Sequence, residues 1–176
     1  MNVTSIRIYP LRILALIVTL AAVGAAADQA GLYPVNERKA ASDFVLQDAS
    51  DKTAKLAEYR GKVILLDFWA TWCTGCKKEI PWFSEFQQTY GSKGFAVVGV
   101  SMDEGGWKVL KPFLAEHPVP YRMLLGDEAT AKRYGAESLP DTFLIDRKGR
   151  VAAAYKAVLV DKDKVEAQVK ALVSEP

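Results

Sequence analysis

The chain is expected to fold as an α/β domain, a central mixed β-sheet flanked by helices on both faces. Three observations predict it. Two nearly unbroken apolar runs bounded by turn signals, Val63-Ile64-Leu65-Leu66-Asp67-Phe68-Trp69 and Phe95-Ala96-Val97-Val98-Gly99-Val100, read as strands covered on both sides. Between them Ile80, Phe83, Phe86 and Tyr90 recur at three- and four-residue steps, the period of an amphipathic helix. Downstream, Thr142 to Ile145 and Val151 to Tyr155 flank Asp146-Arg147-Lys148-Gly149, which reads as a hairpin. Strands alternating with helices imply a layered sheet.

The remaining elements fit the same plan. Phe44-Val45-Leu46 and a segment near Lys52-Thr53-Ala54 flank a polar stretch and predict a small N-terminal hairpin. A helix is expected from Thr74 to about Tyr90, with Pro81 kinking it, and another around Trp107 to Glu116, bent or broken at Pro112. A strand near Tyr121 to Leu125, a short helix from Glu128 to Tyr134 and a last helix from Lys162 to Val173 complete the pass.

With 176 residues, half of them hydrophobic, the chain has the material for one domain with a sizeable core. Its 23 basic and 21 acidic residues become 21 against 21 once Arg7 and Arg12 are set aside, so nothing advertises nucleic-acid binding. Those two arginines precede the apolar run Ile13 to Gly24, which closes in Ala25-Ala26-Ala27. Charged, apolar and small residues in that order describe a secretory signal, and the run is short of the roughly 20 residues a membrane-spanning helix needs. Residues 1–27 are therefore taken as a signal peptide, an uncleaved membrane anchor being the alternative; either places the domain on the oxidising side, extracytoplasmic, in the periplasm or at the outer face of the cytoplasmic membrane. Residues 28–42 have no sustained period and are expected to be a linker, with the domain spanning 43–176.

Cys73 and Cys76 are the only cysteines, too few for a disulfide framework and in a spacing that closes too small a loop to restrain the unfolded chain much. A functional dithiol explains the pair better. Standing where a buried strand meets a helix, Cys73 would face unpaired backbone N–H groups that favour its thiolate, while Cys76 lies one turn inside. Cys73 is thus the expected attacking sulfur and Cys76 the resolving one. Lys77 adds charge nearby or is a solvated helix residue. Haem attachment would need His where Lys77 stands. A zinc site would need two more ligands, and the sole histidine, His117, reads as a surface loop residue. No metal and no cofactor are expected.

The stretch Val63 to Pro81, with Trp72-Cys73-Thr74-Gly75-Cys76 at its centre, resembles the thioredoxin active-site pattern, and more closely its TlpA/ResA-like branch. That branch follows the dithiol with Lys/Arg-x-Glu-x-Pro, here Lys77-Lys78-Glu79-Ile80-Pro81. Its downstream signature appears some 60 residues later as Gly135 to Gly149, and the similarity spans about Asp43 to Val173. The resemblance implies a thioredoxin-like fold with an N-terminal β-hairpin extension and a βα insertion. It also implies a thiol–disulfide oxidoreductase acting as a reductant of extracytoplasmic protein disulfides, including those of cytochrome c maturation, with electrons arriving from a membrane-embedded thiol donor. The chain is expected to act as a monomer on protein thiols and disulfides.

By the same resemblance Leu139-Pro140 matches the cis proline that faces the dithiol and leaves the preceding backbone free for a substrate strand. Asp67, six residues before Cys73, matches the buried acid of thioredoxins. A carboxyl in that apolar strand loses hydration, so its pKa should rise toward the working pH, as a proton acceptor for Cys76 requires. Glu79 matches the acid of ResA-like proteins, though an acid a few residues inside a helix is also a favourable dipole partner. Trp72 is expected to flank the dithiol as an apolar platform, with packing alone as the alternative. Two departures stand out: Thr74-Gly75 brings no proline between the cysteines, and Ala157 stands where many relatives carry Gly.

Other functions fit less well. A peroxiredoxin-type peroxidase has Thr or Ser three residues before its nucleophile and Pro seven before, where this chain has Ala70 and Leu66. A Sco-type copper carrier would need a wider Cys spacing plus a His. A metal-binding or chaperone module without redox chemistry is the third class.

Overall fold

The structure, a computed structural model, describes residues 31–176. The signal or anchor reading of 1–27 therefore lies outside the described residues. The seven strands are β1 (Val45–Asp48), β2 (Thr53–Lys55), β3 (Val63–Trp69), β4 (Phe95–Ser101), β5 (Arg122–Leu125), β6 (Asp141–Ile145) and β7 (Val151–Lys156). The helices are α1 (Thr74–Tyr90), α2 (Trp107–Glu116), α3 (Glu128–Tyr134) and α4 (Lys162–Ser174). One mixed sheet in the order β2-β1-β5-β4-β3-β6-β7 holds them together. The central trio β3, β4 and β5 is parallel, and β1, β6 and β7 join antiparallel.

Each face of β3 is buried by a different layer, which is why its sequence is apolar at almost every position. Val63 and Leu65 face Phe83, Phe86 and Tyr90 of α1 and Val165, Val169 and Leu172 of α4. Ile64, Leu66 and Phe68 face Leu46, Leu56, and Ala131 and Tyr134 of α3. At the end of the strand Trp69 packs with both cysteines, Leu110 of α2 and Met123 of β5. α2 leads into β5, which adds a third parallel strand between β4 and the N-terminal hairpin.

Both proline-bearing helices run on without interruption through Pro81 and Pro112. Proline removes one backbone donor but leaves the turns on either side intact, so neither helix is broken. Chain termination is conventional elsewhere: Asp127 caps α3 through the N–H of Thr130 and Asp161 caps α4 through that of Lys164.

The segment expected as a linker is different in the part that is described. Residues 31–42 dock on the domain. Leu32 enters the core beside Val165 and Val169, the N–H of Tyr33 donates to the carbonyl of Ala152, and Ala40 bridges to Arg150. Arg38 is buried and pairs with Asp146 at 3.2 Å and with Glu175 at 2.8 Å, tying the arm to the β6–β7 turn and to the end of α4. Single anchors of this kind carry no hydrophobic period, so the arm read as irregular.

Candidate active site

Where β3 ends, the N–H of Cys73 donates to the carbonyl of Ala70 and Cys73 takes the N-cap of α1. The turn is built by Asp103, just beyond β4. Its carboxylate accepts the N–H of Thr71 at 3.0 Å, the Thr71 hydroxyl at 2.6 Å and the Ser101 hydroxyl at 2.8 Å. A buried carboxylate with three donors is held in place at both ends of the turn. Sequence reasoning missed Asp103; the pairing of Trp69 with Ser101 in register is what brings it to Thr71.

Cys73 and Cys76 form a disulfide with an S–S distance of 2.04 Å. They differ in access. Cys73 is 7% exposed and Cys76 is fully buried, so an incoming sulfur meets Cys73 first. The N–H of Cys76 donates to Cys73 Sγ at 3.1 Å, the capping contact that favours negative charge on that sulfur once the bond is reduced. Trp72 beside it is 68% exposed and lies at the surface, outside the core. Lys77 is exposed.

Pro140, preceded by Leu139 across a cis bond, stands on the other side of the dithiol turn. A Cβ added to Gly75 would lie 3.6 Å from Pro140 Cδ, so the proline ring occupies the space next to the turn. Pro140 is buried and Leu139 half-buried.

The strand and the helix that meet at the dithiol each carry a buried acid, Asp67 and Glu79. Asp67 of β3 lies opposite Thr142 of β6, whose hydroxyl donates to Asp67 Oδ1 at 3.3 Å. Burial, reinforced by the charge of Glu79, pushes the Asp67 carboxyl well above the usual carboxylate range, and the Thr142 bond offsets this in part. On the opposite flank Asp67 is in register with Gly99 of β4. A Cβ there would lie 2.3 Å from Met123 Sδ and 3.3 Å from Trp69 Nε1, so this position holds no side chain and no cation faces the acid from β4.

Glu79 is fully buried despite lying in a helix that opens to solvent. Its Oε1 accepts the N–H of Val160 at 2.8 Å, while Oε2 has no partner among the described residues. Burial pushes its carboxyl up to about 7, and the Val160 bond offsets part of the effect. The indole Nε1 of Trp69 is a second buried polar atom without a partner. Trp69 packs in the same cluster as Cys76, and an uncompensated buried polar group costs about 1–3 kcal/mol. His117, by contrast, lies exposed at the end of α2, its ring 4.6 Å from that of Phe113.

A Cys-x-x-Cys disulfide at a strand-to-helix junction, with a buried acid in that strand, another in that helix and a cis proline next to the turn, in a mixed sheet covered on both faces, defines a thioredoxin-fold thiol–disulfide oxidoreductase. Known proteins agree. The model of the AhpC/TSA family matches residues 38–154. The thiol-disulfide oxidoreductase ResA of Bacillus thuringiensis subsp. konkukian is 33% identical over 151 residues, covering 82% of this chain and 86% of its own. ResA of Bacillus subtilis is 32% identical over 133 residues, covering 75% of this chain and 74% of its own. A crystal structure assigned to a thiol:disulfide interchange protein DsbE of Chlorobium tepidum superposes with a TM-score of 0.73 at 34% identity, covering 78% of this chain and 97% of that one. This chain belongs to the AhpC/TSA family, among the ResA thiol–disulfide oxidoreductases. Leu66 and Ala70, where a peroxidase would carry Pro and Thr or Ser, are both buried apolar residues.

Proposed function

We propose that the chain acts outside the cytoplasm as a reductant of protein disulfides, with Cys73 attacking and Cys76 resolving. The difference in access between the two sulfurs, together with the N-cap position of Cys73, carries the assignment. In the reduced enzyme the Cys73 thiolate attacks one sulfur of a substrate disulfide. A mixed disulfide forms, and the departing substrate thiolate takes a proton. Cys76 then gives its proton to the buried acid pair, Asp67 with Glu79 behind it, and its sulfur attacks Cys73 Sγ. The second substrate thiolate leaves. Two electrons have passed to the substrate, and the enzyme holds the Cys73–Cys76 disulfide seen here, to be reduced again by a dithiol donor. Trp72 and the Leu139-Pro140 edge flank the sulfur on which the substrate lands.

Two supports of different kind bear on direction and place. The Arg-flanked apolar run ending at Ala27 favours export. The similarity to ResA favours reduction, cytochrome c maturation as a setting and a membrane-embedded thiol donor as electron source. The reduction potential of the pair tests direction: a value near about −270 mV, that of thioredoxin, supports a reductant, and one near about −120 mV, that of DsbA, makes the protein an oxidant. N-terminal sequencing of the mature protein tests export, with a start at or near Asp28 expected and an intact, membrane-bound chain establishing the anchor instead.

A further inference from the structure

Asp103 takes no part in the exchange steps and yet is bonded to the turn that carries Cys73. Ala70 and Cys73 are the ends of that turn, joined by a hydrogen bond of 3.1 Å, and Thr71 and Trp72 are its middle. The Asp103 carboxylate accepts both the N–H and the hydroxyl of Thr71, and the hydroxyl of Ser101 as well. Its backbone carbonyl accepts the N–H of Gly106 at 2.9 Å, in the turn that opens α2, and Leu110 of that helix packs in the same cluster as both cysteines. One residue thus ties together the two turns that follow the central strands β3 and β4.

Asp103 also brings a charge. It is buried, and its partners are all neutral donors, so it is bonded as a carboxylate with no cation in contact with it among the described residues. The other charged groups on the elements that meet at the dithiol differ from it. Asp67 of β3, Glu79 of α1 and Asp141, the β6 acid that accepts the N–H of Ala157, are buried, and burial favours the neutral form of each. Lys77 and Lys78 of α1, Glu104, and Lys108 and Lys111 of α2 are exposed, where water and salt screen them. The two ends of a turn lie within about 7 Å of each other, so a carboxylate in contact with Thr71 stands on the order of 10 Å from Cys73. At that distance and an effective dielectric of about 20, a buried charge of the same sign shifts an ionisation equilibrium about tenfold.

We propose that Asp103 is a positioning residue that fixes Cys73 at the start of α1 and sets a negative charge against its thiolate, which makes the dithiol a stronger reductant. The N-terminus of α1 stabilises the Cys73 thiolate and with it the reduced enzyme. A carboxylate close by opposes that effect. The reduced pair then hands its two electrons to a partner disulfide more readily and closes as the Cys73–Cys76 bond. The inference rests on the reading of the chain as a reductant with Cys73 as the attacking sulfur.

Asp103→Asn tests this, because the amide keeps an oxygen for the Thr71 N–H and loses the charge. Two quantities are read on the full chain. One is the pH midpoint of alkylation at Cys73 in the reduced protein, located by peptide mass. The other is the equilibrium with glutathione above that midpoint, where each protein disulfide reduced converts two glutathione thiols into one disulfide. The midpoint is expected to fall, the Cys73 thiolate gaining about tenfold over the thiol. The potential is expected to rise by about 30 mV, the same tenfold for a two-electron couple. The sign separates charge from structure, since a turn that merely loosened would weaken the helix N-terminus and raise the midpoint. Thr71→Val removes one bond to the turn and leaves the charge, so its midpoint should not fall. A midpoint that rises or stays in Asp103→Asn, or that falls as far in Thr71→Val, overturns the proposal. Should Asp103→Asn fail to fold, Asp103→Ser, whose hydroxyl can still accept from Thr71, takes its place under the same expectations. Both readings are shifts from the native chain, so a native potential near the oxidant end would strike the reductant reading and leave the shift to decide on Asp103.

Discussion

Glu79, on the helix that begins at the dithiol, reaches the backbone N–H of Val160 at 2.8 Å and so ties α1 to the loop before α4. The same carboxyl has an unpaired second oxygen and is pushed up to about 7 from its ordinary 4.5 by burial. The folded state therefore binds this proton more tightly than the unfolded chain does. Stability from this group is complete below about pH 4.5 and is lost as pH rises through 7. Asp67, also raised, acts with the same sign. Urea unfolding of the oxidised protein, in which no thiol titrates, should show lower stability at pH 8 than at pH 5. Glu79→Gln, which keeps the acceptor for Val160, should shrink that difference. An identical pH slope in the variant would show that Glu79 titrates alike in both states.

The two sulfurs should be distinguishable by rate. With the bond reduced, alkylation near neutral pH is expected to label Cys73 much faster than Cys76, since Cys73 alone combines the N-cap position with access to solvent. Cys76→Ser should correspondingly accumulate a mixed disulfide through Cys73. Equal labelling rates, or trapping that requires the loss of Cys73, would exchange the roles.

Arg38 should matter to stability and not to exchange. Its guanidinium is buried between Asp146 and Glu175, and Asp146 keeps Arg150 as a partner at 2.7 Å when Arg38 is removed. Arg38→Ala is therefore expected to cost about 1–3 kcal/mol, less than a pair left wholly unpaired. Urea titration measures it. A loss under about 0.5 kcal/mol, the range of ordinary surface substitutions, would mean the arm is held by Leu32 and its backbone bonds alone.

What was legible in the sequence follows from how far each signal reaches. The strands and helices around the dithiol were readable because their apolar periods repeat within a few residues, as in Val63–Trp69 and in the Ile80, Phe83, Phe86 and Tyr90 face of α1. Cys73, Cys76 and Asp67 were readable because their burial and junction position follow from those same elements. The arm was not. Leu32 and Arg38 are single anchors, and the carboxylates that pair with Arg38 lie 108 and 137 residues away. Glu79 was ambiguous for a related reason: whether a helical acid turns inward depends on a backbone donor 81 residues downstream. Asp103 and Asp141 were missed because their carboxylates serve loops brought to them only by sheet register.

The buried acid of β3 offers the sharpest test of mechanism. Asp67 sits in an apolar strand with one hydroxyl donor from Thr142, Glu79 as a charged neighbour, and no side chain across from it at Gly99. A proton acceptor needs this environment, because an ordinary carboxylate is too weak a base to draw a proton from a thiol near neutral pH, while a desolvated one is matched to the task. Asp67→Asn keeps the shape and an oxygen for Thr142, and removing a desolvated acid should leave the fold as stable or more so. Attack by Cys73 on a peptide disulfide should proceed at nearly the native rate, since its thiolate is favoured by the helix N-terminus and not by Asp67. Release of the mixed disulfide should slow by about 10²–10⁴-fold, the usual worth of a positioned base. Stopped-flow kinetics separates the two phases. If attack slows and release does not, or if neither changes, Asp67 is a structural residue and Glu79 or water takes the proton; slow release in Glu79→Gln would then assign it to Glu79.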